Sequence, residues 1–164
     1  MVRDKIIYKL SGWNLNYNYF MLQAYNQAIK AQQINEVPIG CVIVYNNNII
    51  ATGYNERNTK KNVLKHGEIT AINEACNYIG DWRLEGCTMF VTLEPCPMCA
   101  GAVLQSRMKS LVFGASNPKA GSVSSILNIL NNDSYNHKVQ VVKGVMEVEC
   151  SNILSDFFTK LRSK

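Results

Sequence analysis

The sequence predicts a three-layer α/β/α fold, in which a mixed five-stranded sheet carries helices on both faces. The chain has 164 residues, of which 47% are hydrophobic and 18% charged, an ordinary balance for one globular domain with a single core. A β-hairpin pattern is followed by alternating helix and strand patterns, and that order favours a mixed sheet covered on both sides.

The first half of the chain predicts a helix, a hairpin and a second helix. In residues 15 to 33, apolar side chains recur at positions 15, 19, 22, 25 and 29 and mark one helix face, which we expect to be buried against the sheet. Residues 39 to 45 and 49 to 54 flank three asparagines, which tolerate the left-handed backbone of a hairpin turn. A second helix, with His66 and Glu68 in its first turn, is predicted by helical spacing of Ile69, Ile72, Cys76 and Ile79.

The second half predicts three more strands with helices between and after them. Strands are expected at residues 87 to 93, 111 to 115 and 139 to 145. A helix is expected from residue 98 to about 106, and a C-terminal helix is marked by apolar residues four apart, namely Ile153, Phe157 and Leu161. These elements complete the predicted sheet and its two helical layers.

Two short motifs contain the residues of a predicted catalytic zinc site. Cys96 and Cys99 would lie on one side of the first turn of a helix, where the helix dipole favours thiolate. His66 would complete three ligands, and a zinc ion held by three protein ligands keeps a position for water. Glu68 is badly placed to bind the same ion but well placed to carry a proton for that water.

The joint pattern is more specific than either motif alone. A lone C-x-x-C would fit a redox motif or half of a zinc finger, but the sequence has no second C-x-x-C and no H-x-x-x-H to complete a finger. H-x-E followed by P-C-x-x-C is the signature of the zinc nucleobase deaminases, and residues 66 to 68 and 95 to 99 match it literally. The sequence therefore predicts a zinc-dependent deaminase.

Residues 66 to 69, 91 to 102, 112 to 115 and 154 to 158 closely resemble the family of bacterial tRNA-specific adenosine deaminases. The resemblance runs from about residue 15 to the C-terminus. It implies the cytidine-deaminase-like fold, a homodimer, one zinc ion per subunit, and conversion of adenosine to inosine at the first anticodon position of an arginine tRNA. Carried over residue by residue, it implies that His66, Cys96 and Cys99 are the zinc ligands. It also implies that Glu68 is the proton shuttle and that Asn55 contacts the base.

Further substrate contacts are expected around this site, and they are Gly67, Pro95, Asn117, Lys119, Phe157 and Phe158. Gly67 stands where the family usually has alanine, and its backbone amide is available to the base. Asn117 stands where the best-known members have aspartate, in a loop expected beside the substrate backbone. An amide there removes repulsion from phosphates, and we expect it to permit weak activity on single-stranded DNA. The two phenylalanines could stack on bases.

Two other functions fit the same motifs. The chain could deaminate a small molecule such as cytidine, dCMP or guanine, since the zinc chemistry would be identical. It could also be a non-catalytic RNA-binding subunit, although a structural site has no use for Glu68. A net charge of +5 favours a polyanionic partner such as the tRNA anticodon stem-loop.

The remaining expectations concern location and boundaries. Six cysteines without a signal peptide indicate a reducing compartment, and no apolar run reaches the roughly 18 residues of a membrane span, so we expect a cytoplasmic protein. Four cysteines are expected in the core, Cys41, Cys76, Cys87 and Cys150. Residues 1 to 14 are expected to be an N-terminal extension, and residues 15 to 164 a single deaminase domain.

Overall fold

The computed structural model describes residues 16 to 163, so the predicted extension at residues 1 to 14 lies outside the described residues. Within that range the chain forms four helices and five strands. Their bounds are α1 Tyr17–Gln33, β1 Gly40–Tyr45, β2 Asn48–Tyr54, α2 Gly67–Ile79, β3 Thr88–Leu93, α3 Pro97–Gln105, β4 Ser110–Ala115, β5 Gln140–Lys143 and α4 Glu147–Arg162.

The strands form one mixed sheet in the order β2-β1-β3-β4-β5. Strand β1 runs antiparallel to both β2 and β3. Strands β4 and β5 run parallel to their inner neighbours, so β3 and β4 are joined by the crossover helix α3. The three inner strands β1, β3 and β4 are almost wholly buried, as expected for strands covered on both faces.

The helices cover both faces of this sheet. Along β1, Cys41 and Ile43 belong to a core cluster that includes residues of α2 and α3, whereas Val42 and Val44 belong to a cluster that includes residues of α1 and α4. This alternation is the period of two of a β-strand, which sends successive side chains to opposite faces. The predicted three-layer α/β/α fold with its five-stranded mixed sheet is confirmed.

The hairpin and the first helix form at the positions predicted from the sequence. Asn46 and Asn47 turn the β1–β2 hairpin with φ angles of 48° and 62°, in the left-handed region that asparagine tolerates. Helix α1 begins after Asn16, whose side-chain oxygen accepts a hydrogen bond of 3.0 Å from the backbone N–H of Tyr19.

The predicted buried face of α1 is wrong. Tyr19 and Leu22, assigned to that face, are 52% and 43% exposed. The helix instead lies so close to β1 that a Cβ on Gly40 would be 2.1 Å from the carbonyl oxygen of Ala24. The residues that it buries are Tyr17, Phe20, Met21, Ala24, Ala28 and Ala31.

Smaller differences concern the other elements. In α2 the fully buried positions include Ala71 and Ala75, while the predicted Ile69 and Ile72 are only half-buried. Cys76 is also half-buried, unlike the other three cysteines that were expected in the core. Among residues 16 to 163, no helix combines the length and the apolar character that a membrane crossing needs.

Candidate metal centre and active site

A histidine and two cysteines meet where α2 and α3 begin. His66 is the residue before α2, Cys96 is the residue before α3, and Cys99 lies in the first turn of α3. The Nδ1 atom of His66 is 3.7 Å from the Cys96 sulfur and 3.5 Å from the Cys99 sulfur. All three ligand atoms lie within 4.8 Å of one another, so they could hold one metal ion.

The two thiols of this cluster have pKa values shifted in opposite directions. A hydrogen bond from the Cys99 thiol, together with one from His66, lowers the pKa of Cys96 to about 4. The same hydrogen bond, reinforced by burial, raises the pKa of Cys99. The arrangement therefore favours the thiolate form of Cys96, which is the form that binds a metal, and a bound cation would displace the proton of the second thiol.

Glu68 faces this cluster from the first turn of α2. Its side chain is 4% exposed, and Oε2 has no hydrogen-bond partner among the described residues. Burial raises the pKa of this carboxyl above its usual value. An unpartnered buried carboxylate oxygen is costly, so its presence indicates a partner that belongs to the working site.

This set of residues fits a zinc ion. Imidazole and thiolate are the ligands that zinc prefers, and three of them leave one position of a tetrahedron open. A water in that position would give the orphaned oxygen of Glu68 a hydrogen-bond donor. The arrangement is thus suited to activating a water beside a carboxylate.

The start of α2 is held by a close backbone approach. A Cβ on Gly53 would lie 2.1 Å from the carbonyl oxygen of Gly67, and a Cβ on Gly67 would lie 3.0 Å from the Cα of Tyr54. The end of β2 and the first turn of α2 therefore pack backbone to backbone. This contact fixes where His66 and Glu68 stand relative to the sheet.

We expect Gly53→Ala to displace the start of α2, because its methyl group must push away the Gly67 carbonyl. Overpacking of this kind costs about 1–3 kcal/mol, and thermal unfolding would measure it. The matched control is Gly101→Ala in α3, where a Cβ would meet nothing within 4 Å. Equal unfolding temperatures for the two variants would contradict the close packing.

Asn55 lies at the end of β2, is 6% exposed, and is bonded on both ends of its amide. Its Nδ2 donates to the carbonyl of Val37 at 3.3 Å and to Glu36 at 3.5 Å, and its Oδ1 accepts from the backbone N–H of Arg57 at 3.2 Å. Glu36 is fully buried and also accepts from the backbone N–H of Thr59. The predicted base contact is therefore a rigidly oriented side chain.

Residues 116 to 125 carry two further residues of the predicted set. They are here called the substrate loop, after the substrate contacts predicted for Asn117 and Lys119. The side chain of half-buried Asn117 accepts hydrogen bonds from the backbone N–H groups of Lys119 and Ala120, at 3.3 and 3.1 Å. Lys119 itself is exposed. The predicted Pro95 is buried, and its carbonyl accepts a 2.9 Å hydrogen bond from Ser122, so it stands against this loop.

The two phenylalanines of α4 lie in a different environment. Phe157 is half-buried and Phe158 is 40% exposed, and their rings are in an edge-to-face contact with centroids 5.5 Å apart. Phe157 lines a surface groove of about 460 Å³ with Gln32 and Asn35 of the α1 end. None of the three cluster residues lines this groove.

Two buried carboxylates of the site were missed by sequence reasoning. Glu36 and Glu94 are 0% and 1% exposed, and both accept hydrogen bonds from backbone amides of loops near the cluster. A glutamate is usually a surface residue, so the residue type gave no signal. The signal available for Glu94 was its place between a buried strand and the Pro95-Cys96 dipeptide.

The fold and the metal cluster define a deaminase. The model of the MafB19-like deaminase family matches residues 15–162. A tRNA-specific adenosine deaminase of Bacillus subtilis is 50% identical over 145 residues, which are 88% of this chain and 90% of that protein. The chain therefore belongs to the family of tRNA-specific adenosine deaminases.

Solved structures agree with this assignment. A tRNA:A34 deaminase, described for A-to-I editing at the wobble position of transfer RNA, is 38% identical with a TM-score of 0.80, and the match covers 83% of this chain and 99% of that one. A guanine deaminase from Nitrosomonas europaea is 20% identical with a TM-score of 0.71, and covers 87% of this chain and 84% of its own. At that identity the second likeness shows the fold alone.

Proposed function

We propose that residues 15 to 164 form one zinc-dependent deaminase domain. It converts adenosine to inosine at the first anticodon position of a tRNA, and the proposed substrate is an arginine tRNA. The observation that carries the proposal is the buried, unpartnered Oε2 of Glu68 beside the His66-Cys96-Cys99 cluster. The substrate follows from the family, since its relatives are tRNA-specific adenosine deaminases at 50% and 44% identity.

His66, Cys96 and Cys99 would hold the zinc ion, one per chain. When bound, zinc lowers the pKa of a coordinated water from 15.7 towards about 7. Glu68 takes a proton from the attacking water and passes it to ring nitrogen 1 of adenine as the water oxygen bonds to carbon 6. The same carboxylate then takes the proton of the new hydroxyl group on carbon 6 and delivers it to the amine. The carbon–nitrogen bond breaks, the carbonyl of inosine forms, and ammonia leaves.

The chain's other residues would bind and orient the RNA. The target base must leave its stack to reach a buried site, which costs little in an anticodon loop. Asn55 and the backbone of Gly67 would contact the base at the end of β2 and the start of α2, with Pro95 beside them. Asn117 and exposed Lys119 would meet the substrate backbone, the latter through its charge.

Phe157 and Phe158 are assigned a peripheral role. Exposed Phe158 offers a ring face to an unstacked base outside the zinc site, and Phe157 supports it from the groove. Lys160 lines the same groove and would pair with a phosphate.

Ammonia release on a panel of substrates tests this proposal. The zinc-loaded protein should release ammonia from an unmodified arginine tRNA that has adenosine at the first anticodon position. It should release none from cytidine, dCMP or guanine in parallel reactions. Release from one of the small molecules alone would replace the tRNA proposal with the small-molecule alternative, and no release at all would favour a non-catalytic RNA-binding subunit.

We also propose that the protein is a cytoplasmic homodimer. Its cysteines are all free of disulfides, as expected in a reducing compartment, and tRNA is a cytoplasmic substrate.

The proposed dimer can be tested by sedimentation. The full chain should give twice the mass of 18.4 kDa. A single 18.4 kDa species at micromolar concentration would contradict the dimer.

Asn117 leads to a prediction about nucleic-acid type. Aspartate could accept the same two hydrogen bonds from Lys119 and Ala120, so Asn117→Asp should keep the loop but add a negative charge near the substrate backbone. We expect the wild type to deaminate a DNA version of the stem-loop weakly, and Asn117→Asp to lower that rate more than the RNA rate. A DNA rate that is undetectable for both proteins would disprove the idea.

A further inference from the structure

A buried carboxylate ends strand β3 without a positively charged partner. Glu94 is 1% exposed and follows directly on Leu93, the last residue of β3. The ion pairs formed within residues 16 to 163 do not include it. A buried charge of this kind must be stabilised by hydrogen bonds, so its partners show what it is for.

All of those partners belong to the substrate loop. The Oε1 atom accepts from the backbone N–H groups of three successive residues, Val123, Ser124 and Ser125, at 3.2, 2.7 and 2.9 Å. The Oε2 atom accepts from the backbone N–H of Asn117 at 3.0 Å and from the hydroxyl of Ser125. Convergent backbone amides of this kind form an anion-binding concavity, which the protein fills with its own carboxylate.

The same loop is also fixed to Pro95, the residue that follows Glu94. The backbone N–H of Ser122 donates to the carbonyl of Pro95 at 2.9 Å. A Cβ on Gly121 would lie 2.4 Å from Oε2 of Glu94, so the loop backbone is in direct contact with the carboxylate. Glu94 and Pro95 immediately precede the cluster residue Cys96, and they therefore join the substrate loop to the metal centre.

We propose that Glu94 is a positioning residue that holds the substrate loop, with Asn117 and Lys119, at a fixed place relative to the metal centre. The inference rests on the proposed function, because the loop is assigned there to the RNA backbone. Glu94 is too buried to contact RNA itself. It acts by ordering the loop before the RNA binds. If the loop were mobile, ordering it on binding would cost free energy and weaken the affinity for RNA.

The central test is Glu94→Gln. Glutamine has the same shape, but its NH₂ group must face either the three amides at Oε1 or the donors at Oε2, so one set of hydrogen bonds is lost. We expect amide hydrogen exchange in residues 117 to 125 to become at least tenfold faster. For an anticodon stem-loop RNA we expect KM to rise at least tenfold and kcat to change less than threefold, with zinc retained at one per chain.

Adjacent serines supply a milder, matched pair of variants. Both backbone amides donate to Glu94, but only the Ser125 hydroxyl does so as well. Ser125→Ala should therefore change loop exchange and KM in the same direction as Glu94→Gln, by a smaller factor, and Ser124→Ala should change neither. This pair decides the question even if Glu94→Gln does not fold.

The outcomes separate this inference from the proposed function. Unchanged exchange and KM in both Glu94→Gln and Ser125→Ala would overturn it, as would equal effects of Ser124→Ala and Ser125→Ala. Loss of zinc from Glu94→Gln at unchanged loop exchange would also overturn it, since Glu94 would then act on the metal ligand Cys96 and not on the loop. A wild type without turnover on RNA would contradict the proposed function, and the exchange measurements, which need no substrate, would still decide the role of Glu94.

Discussion

Replacing Glu68 by glutamine is expected to lower kcat by about 10²- to 10⁴-fold, the usual contribution of a general acid–base group. Glutamine keeps the shape of the side chain but cannot take up and deliver a proton. The zinc content should stay at one per chain, because Glu68 is not one of the three clustered ligand residues. Inosine formation and metal analysis on the same preparation would measure both quantities.

The matched control is Glu74→Gln, which removes a carboxylate from an exposed position of the same helix. That variant should retain wild-type kcat. If Glu68→Gln also stayed within twofold of the wild type, the assignment of Glu68 as the proton carrier would be wrong.

The second large effect is expected from Cys99→Ala, which should abolish stoichiometric zinc binding and with it all turnover. Cys99 is fully buried, its sulfur lies 3.5 Å from the His66 ring, and it is one of the three residues that form the cluster. Two remaining ligands make an incomplete zinc site. Metal analysis after dialysis would measure the loss.

Cys87→Ala is the control for general damage, since Cys87 is a buried cysteine outside the cluster. It should keep one zinc per chain, although the cavity costs some stability. A zinc-to-protein ratio of one in the Cys99→Ala preparation would contradict the ligand assignment.

Much of the architecture was predictable because strands and turns have strong local signals. The asparagines at residues 46 to 48 predicted the hairpin turn, and β-branched runs predicted β1, β3 and β4. The edge strand β5 is shorter than expected, Gln140–Lys143 against residues 139 to 145, because Gly144 follows it with a φ of 83°, which ends the extended backbone. Local pattern identifies such an element but not its ends.

Large apolar residues occur on two faces of α1, and they alone do not distinguish the buried face, with Tyr17, Phe20 and Met21, from the exposed side chains of Tyr19 and Leu22. Contact with β1 is made through Ala24 and Ala28 against Gly40, where small residues let the backbones approach. Alanine and glycine contribute little to a hydrophobic pattern, whereas exposed Tyr19 and Leu22 contribute a great deal. Close packing of small residues depends on the partner element, which sequence periodicity does not include.

The cluster was predictable for the opposite reason. His66, Cys96 and Cys99 are residue types with few alternative roles at this spacing, and the structure brings them together. Glu36 and Glu94 are buried only because distant loops supply amide donors, Thr59 to the first and residues 117 to 125 to the second. Such long-range partners are visible only in the fold.

Site-specific mapping of inosine tests the central claim most directly. The zinc-loaded protein would be incubated with an unmodified arginine tRNA that has adenosine at the first anticodon position, and with the same tRNA in which that adenosine is moved one position along the anticodon. Inosine is read as guanosine on reverse transcription. We predict nearly complete conversion at the first anticodon position and none in the shifted tRNA. Conversion of free adenosine with both tRNAs untouched, or equal conversion of the two tRNAs, would contradict the account.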